Sequence, residues 1–135
     1  MGAREYLEKV KTMDKEIDSR LLAIEELETT VNNVTSILSD MPKPMCRDNR
    51  GRQKMLCRLI DMKIEMNDEI DAFVDYKGEV MAKIREIDNP DYRIILLLRY
   101  IKYKPWDEIT EALDCQRRKM FSMHNEALDA MDEIL

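Results

Sequence analysis

The side chains best suited to chemistry form a polar, partly cationic row near the end of the chain. Its members, all expected on the outward face of one helix, are Gln116, Arg117, Arg118, Lys119, Phe121, Ser122 and Asn125. Arginine reaches guanine or phosphate, and an exposed aromatic ring can contact a thymine methyl or a protein partner. Phe121 and Ser122 would adjust which DNA sequence such a helix recognises. Such a face suits the major groove of DNA.

Catalysis is the chemistry that the sequence supports least. His124 is the only histidine, and we expect it on a helix surface or partly buried rather than acting as a general base. The three cysteines, Cys46, Cys57 and Cys115, contain no C-x-x-C pair, and Cys115 is expected in the core. Neither a Ser-His-Asp set nor a glycine-rich phosphate loop occurs. The sequence therefore predicts no enzyme, no catalytic residues, no metal and no cofactor.

Two short helices around a tight turn must position the polar row. Trp106, Ile109 and Leu113 recur at helical spacing and mark the buried face of the first helix, with Trp106 as its central packing residue. Asp114 then breaks the period, and aspartate tolerates the left-handed backbone of a turn at residues 114–115. The second helix restarts at Gln116. Its apolar positions are Met120, Met123, Ala127, Leu128 and Met131.

Three local details of this helix-turn-helix pattern can be predicted. Thr110 is expected to donate its hydroxyl to the carbonyl of the preceding turn. Gln116 stands where Ser or Thr would cap the second helix, so that helix start should be less firmly fixed. Upstream, Asn89 is the predicted N-cap of a support helix, with Pro90 at its first position and Ile94, Leu97, Leu98 and Ile101 on its apolar face.

The chain resembles region 4 of bacterial sigma factors over roughly residues 89–135. The resemblance rests on the order apolar-Asp-Glu-Ile-x-x-x-Leu, then a turn, then a basic helix ending in x-x-Ala-Leu. More closely, the chain resembles small phage-borne proteins of Gram-positive hosts that join a helical hairpin, the phrase Asn-Pro-Asp-Tyr-Arg (residues 89–93) and a sigma-like helix-turn-helix. These are grouped with phage late-gene transcription regulators of the ArpU and RinA type. The resemblance implies promoter DNA binding and contact with host RNA polymerase.

The first two-thirds of the chain carries two long apolar stripes. One runs from Leu7 to Leu38 and the other from Met55 to Ile87, both in steps of three and four residues. Pro42 and Pro44 must end the first helix, so the stripes should fold back as an antiparallel, coiled-coil-like hairpin over residues 1–87. Leu21, Ile24 and Leu27 are expected in its seam. The remaining residues, 88–135, would form the helix-turn-helix domain of an all-α protein.

Charge is distributed unevenly along the chain, whose formal net charge is −6. Residues 1–41 hold nine acidic and five basic side chains, whereas residues 99–119 hold six basic and four acidic ones. Within the basic segment Lys102, Lys104 and Lys119 are expected to hold the DNA backbone. A second basic run, residues 47–54, lies in the predicted connection near 42–54, where a solvated loop and a phosphate contact are both open readings.

These observations leave two functional hypotheses. The first is a phage or prophage transcription regulator that binds double-stranded DNA, with a hairpin that forms a homo-oligomer or contacts host RNA polymerase. The second is a helical adaptor or inhibitor acting on a host protein through the acidic hairpin and the Phe121 face. The charged N-terminal segment and the absence of a run of about 18 apolar residues predict a cytoplasmic protein without membrane contact.

Overall fold

The computed structural model describes residues 2–40 and 50–135, with the backbone alone for residues 34–40 and Arg50. Regular structure in these residues is entirely helical, which confirms the predicted all-α class. The helices are α1 (Ala3–Asp40), α2 (Arg50–Arg85), α3 (Pro90–Leu96), α4 (Trp106–Leu113) and α5 (Arg117–Ile134), and a π-helical segment, Leu97–Ile101, continues α3. The turn predicted at Pro42 and Pro44, Cys46 and the start of the basic run lie outside the described residues.

Residues 15–71 form one compact unit, in which α1 and α2 run antiparallel. Nη2 of Arg20 lies 3.0 Å from Oε1 of Glu69, and the ammonium group of Lys63 pairs with Glu28. From the first ion pair to the second the residue number rises in α1, from 20 to 28, and falls in α2, from 69 to 63. The predicted antiparallel hairpin is therefore confirmed in this unit. Ile24 lies between these two ion pairs along α1 and is buried.

The two apolar stripes are only partly buried in this unit. Its buried apolar side chains are Ile17, Ile24, Val31, Leu59 and Met66. Leu21 is 41% exposed, so its predicted place in the seam is wrong, and Ile70 of the second stripe is 36% exposed. Two helices cover only a narrow strip of each other, and apolar residues at the margin of a stripe stay in contact with water.

Ile24→Asp is expected to lower the free energy of unfolding by roughly 3 kcal/mol or more, because it removes buried apolar volume and introduces a carboxylate without a partner. Chemical denaturation followed by circular dichroism measures the change. Leu22→Asp is the matched control: Leu22 lies on the same helix but is 67% exposed, so its substitution should change stability by less than about 0.5 kcal/mol. Equal unfolding midpoints for the two variants would refute the burial of Ile24 in the seam between α1 and α2.

The second compact unit combines α1 up to Asp14 with residues 72–135. Its main core joins Leu7 and Val10 of α1, Val80 and Ile84 of α2, and the α5 residue Met131, all with no measurable exposure. The backbone N–H of Ala3 donates to Oδ1 of Asp132 at 2.7 Å, so the beginning of α1 is also held to α5 by a hydrogen bond. The domain boundary expected near residue 88 stays a prediction.

The start of α3 is as predicted, but its continuation is not. The Asn89 side chain accepts from the N–H of Asp91 at 2.9 Å, with Pro90 in the first turn. Beyond Leu96 the hydrogen bond from Lys102 N–H to Leu97 carbonyl spans five residues, which widens the turn. The buried side chains are accordingly Ile95, Leu96 and Tyr100.

The predicted apolar face of this support helix is wrong at Ile94, whereas Leu97, Leu98 and Ile101 pack against the buried cores as predicted. Ile94 is 41% exposed, whereas Leu97, Leu98 and Ile101 are half-buried. A stripe counted at 3.6 residues per turn does not follow a helix that contains a π-helical segment. Separately, no helix in the described parts of the chain is long and apolar enough to span a membrane.

Candidate functional site

Helices α4 and α5 pack together over a small core of their own. Ile95, Ile109 and Met120 are completely buried there, and Leu113, Cys115 and Met123 pack against them while partly exposed. Cys115, predicted in the core, contacts the core but is only partly buried. This core fixes α4 against the first half of α5, the part of that helix that carries the basic residues.

The turn between α4 and α5 has the predicted backbone. Asp114 adopts φ 51° and ψ 51°, in the left-handed region, and the Cys115 N–H donates to the Thr110 carbonyl at 3.4 Å. The Thr110 hydroxyl donates to the Trp106 carbonyl at 2.8 Å, as expected. Gln116 is extended and its side chain makes no capping hydrogen bond, which leaves its amide group exposed at the start of α5.

Asp114→Gly is expected to raise the free energy of unfolding by about 0.5 to 1 kcal/mol, because glycine adopts the left-handed region without the clash of a Cβ atom. Thermal or chemical denaturation measures it. The control is Asp129→Gly, an exposed position inside α5, where the same substitution should destabilise the protein because glycine is a poor helix former. Destabilisation by both substitutions would contradict the role assigned to the turn.

Four side chains form an aromatic stack at the surface of α4 and α5: Arg99, Trp106, Phe121 and Arg117. The Arg99 guanidinium lies 4.1 Å from the Trp106 ring centroid, and the Trp106 and Phe121 rings are 5.0 Å apart. At the other end the Arg117 guanidinium lies 5.6 Å from the Phe121 centroid. Trp106 thus bridges the support helix and α5, in agreement with its predicted role as the central packing residue.

The sequence predicts an exposed Phe121, but this prediction is wrong. Phe121 is half-buried because position 121 lies beside the buried face of α5 and its ring packs on Trp106. Only part of the ring remains available to DNA or to a protein.

The other predicted site residues are all exposed. They are Lys102, Lys104, Gln116, Arg117, Arg118, Lys119, Ser122 and Asn125. Two of them pair with carboxylates of the first turn of α4: Lys104 with Glu108 and Arg117 with Asp107, each at 3.6 Å. Within the described residues the side chains of Lys102, Arg118 and Lys119 make no ion pair or hydrogen bond.

Charge divides α5 into two halves. Three consecutive basic residues, 117–119, occupy its first turn, and that turn contains no acidic residue. Four acidic residues follow in the second half: Glu126, Asp129, Asp132 and Glu133. A polyanion would therefore be attracted to the beginning of α5 and repelled from its end.

Sequence reasoning missed the buried pair formed by Tyr100 and His124. His124 is only 4% exposed, not a surface residue, and its Nε2 lies 2.9 Å from the Tyr100 hydroxyl. Burial, followed by the charges of Arg4 and Arg99, lowers the pKa of His124 to about 4, and burial raises the pKa of Tyr100. Both groups are neutral near pH 7, and the tautomer of His124 decides which of the two atoms donates. The signal was the spacing of residues 120, 124, 127 and 131, which places His124 in the apolar stripe.

Stability should decline in mild acid because of His124. The unfolded chain binds a proton near pH 6.5 and the folded chain near pH 4, so the stabilisation is complete above pH 6.5 and is lost as the pH falls towards 4. By about pH 5 the loss attributable to this residue is about 2 kcal/mol. His124→Gln keeps an acceptor for Tyr100 but does not titrate. If both proteins lose the same free energy of unfolding between pH 8 and 5, the burial argument fails.

Residues 34–132 match the family described as protein of unknown function, DUF1492. The chain belongs to this family. The DUF1492 match extends from the end of α1 through nearly all of α5, and so includes the turn and the whole aromatic stack, whereas Leu7 and Val10 of the core precede it. Neither the curated proteins nor the solved structures contain a match to the chain.

No group of three or more His, Cys, Asp or Glu side chains suited to a metal ion occurs among the described residues.

Proposed function

We propose that this DUF1492 protein is a DNA-binding transcription regulator that places the first half of α5 in the major groove. The observation that carries the proposal is the exposed basic turn at residues 117–119, at the start of a helix whose opposite face is buried against α4. In helix-turn-helix proteins the beginning of the second helix contacts base edges while the helix before it crosses the backbone.

The distribution of charge supports this orientation despite the net charge of −6. The basic first turn of α5 can approach phosphates, while the acidic second half favours a position away from the DNA backbone. Lys102 and Lys104, just before α4, add cations where contacts with the backbone would set the register of the complex. Gln116, Ser122 and Asn125 offer exposed hydrogen-bonding groups beside the arginines.

The resemblance to sigma region 4 supports a more specific form of the proposal. The DNA would be a phage or prophage promoter, and the protein would act in the cytoplasm of the bacterial host. The acidic hairpin would then dock to host RNA polymerase or join two copies of the chain. This part of the proposal rests on the resemblance, whereas the DNA contact rests on α5.

A salt series tests the DNA contact. Fluorescence anisotropy with duplex fragments of the source genome should show a complex at low salt whose affinity falls steeply as salt rises, since released counterions drive such binding. Selection of bound fragments would identify the operator. A protein that binds no duplex at low salt would overturn the proposal.

A second candidate, an adaptor or inhibitor acting on a host protein, is favoured by a different observation. The unit formed by residues 15–71 exposes large apolar side chains: Leu22 is 67% exposed, and Ile60 and Ile64 are each 56% exposed. These side chains and the acidic α1 would contact the partner. The exposed edge of Phe121, in the other unit, is a separate candidate contact. This candidate predicts capture of one host protein, weakened by Leu22→Glu or Ile60→Glu, without any DNA complex.

A further inference from the structure

The two adjacent arginines at the start of α5 have different surroundings. Nη1 of Arg117 lies 3.6 Å from Oδ1 of Asp107, and its guanidinium rests on the Phe121 ring. The Phe121 ring in turn packs on Trp106, which packs against the small core of Ile95, Ile109 and Met120. Arg118 is exposed, and its side chain makes no ion pair or hydrogen bond to any described residue. One arginine is therefore restrained before any ligand binds and the other is not.

Restraint matters differently for the two kinds of DNA contact. A guanine edge presents two acceptors, O6 and N7, in one fixed direction, so a guanidinium held in place loses less side-chain freedom on binding it. Phosphates accept a cation from many directions, and a mobile side chain serves them equally well. The surroundings of Arg117 favour the first contact and those of Arg118 favour the second.

Charge leads to the same distinction. Asp107 offsets part of the charge of Arg117, so the pair attracts phosphate less than a lone arginine does, and it leaves Nε and Nη2 of Arg117 as donors. Its exposed carboxylate would repel a phosphate placed beside it. The Arg118 side chain has no such partner among the described residues, so its full charge is available to the phosphates of a DNA backbone.

Building on the DNA-binding function proposed above, we infer that Asp107 and Phe121 are positioning residues that hold Arg117 for a guanine in the major groove, while Arg118 neutralises phosphate. The ligand is thus a duplex whose preferred sequence includes a guanine facing Arg117.

The test uses the full-length protein and the duplex that the wild type selects from a randomised library. Each guanine of that duplex is replaced in turn by 7-deazaguanine, which lacks the N7 acceptor, and a duplex of unrelated sequence measures non-specific binding. Arg117→Lys should lower the ratio of specific to non-specific affinity by roughly 5- to 150-fold, the range for one bidentate contact. One 7-deazaguanine position should weaken the wild type strongly and Arg117→Lys much less, because lysine lacks the two-pronged geometry of arginine.

Two further variants separate positioning from charge. Asp107→Asn should lower the specificity ratio while raising non-specific affinity, since Arg117 regains its net charge; a merely structural role for Asp107 would produce no such opposite changes. Arg118→Ala should weaken both duplexes to the same extent and reduce the slope of log affinity against log salt by about 1. Thermal unfolding of each variant verifies that the fold is intact.

The outcomes distinguish this inference from the proposed function. A wild type that selects no duplex would remove the DNA-binding function itself. If the wild type selects a duplex but Arg118→Ala abolishes the response to 7-deazaguanine, or if Asp107→Asn and Arg117→Lys leave the specificity ratio unchanged, DNA binding stands and the assignment of Arg117 is overturned.

Discussion

Replacing Trp106 by alanine is expected to lower the free energy of unfolding by about 3 kcal/mol, the lower end of the range for tryptophan because the ring is only half-buried. The indole contacts Arg99 before α4 and both Phe121 and His124 on α5, so its removal leaves a gap where separate segments meet. Chemical denaturation monitored by far-UV circular dichroism measures the change, because Trp106 is the only tryptophan and the variant has no indole fluorescence.

Trp106→Phe is the matched control for that experiment. It keeps an aromatic ring between Arg99 and Phe121 and should cost less than about 1.5 kcal/mol. An alanine variant that unfolds at the same denaturant concentration as the wild type would show that the aromatic stack contributes nothing to the stability of the fold.

The second large effect concerns DNA. The double variant Arg117→Ala, Arg118→Ala should lose specific DNA binding altogether, because it removes both the proposed guanine contact and the proposed phosphate contact. Its stability should change by less than about 0.5 kcal/mol for each substitution, since both side chains are exposed. Anisotropy titrations and thermal unfolding of the same preparation measure the two quantities.

A variant with the same change in net charge controls for bulk electrostatics. Lys15→Ala combined with Arg85→Ala also removes two exposed cations, but neither lies on α4 or α5. This control should retain most of the wild-type affinity. Equal losses in the two double variants would show that total charge, not the beginning of α5, governs binding.

Local features of the fold followed from the sequence because short-range chemistry decides them. The cap at Asn89, the left-handed turn at Asp114 and the hydroxyl contact of Thr110 each depend on residues at most four positions away. The exposed face of α5 was predictable for the same reason, since helical spacing alone separates it from the buried face. Of the polar row only Phe121 deviates, and it lies at the margin between the two faces.

The features that the sequence did not reveal depend on distant partners. The π-helical segment changes the phase of the support helix without any glycine or proline to signal it. His124 is buried because Tyr100 supplies a hydrogen bond and Trp106 supplies a ring, both from other segments of the chain. The exposure of Leu21 depends on how much of α1 the partner helix covers.

The contact between Ala3 and Asp132 joins residues 129 positions apart, and Leu7 and Val10 share their core with Met131. On the ribosome, the first turns of α1 therefore emerge long before the side chains that cover them. The ion pairs between α1 and α2 lie within residues 15–71, so these parts of the two helices can pack together while synthesis continues. Because distant contacts slow folding, we expect α5 to reach its final packing last, after translation has passed Met131.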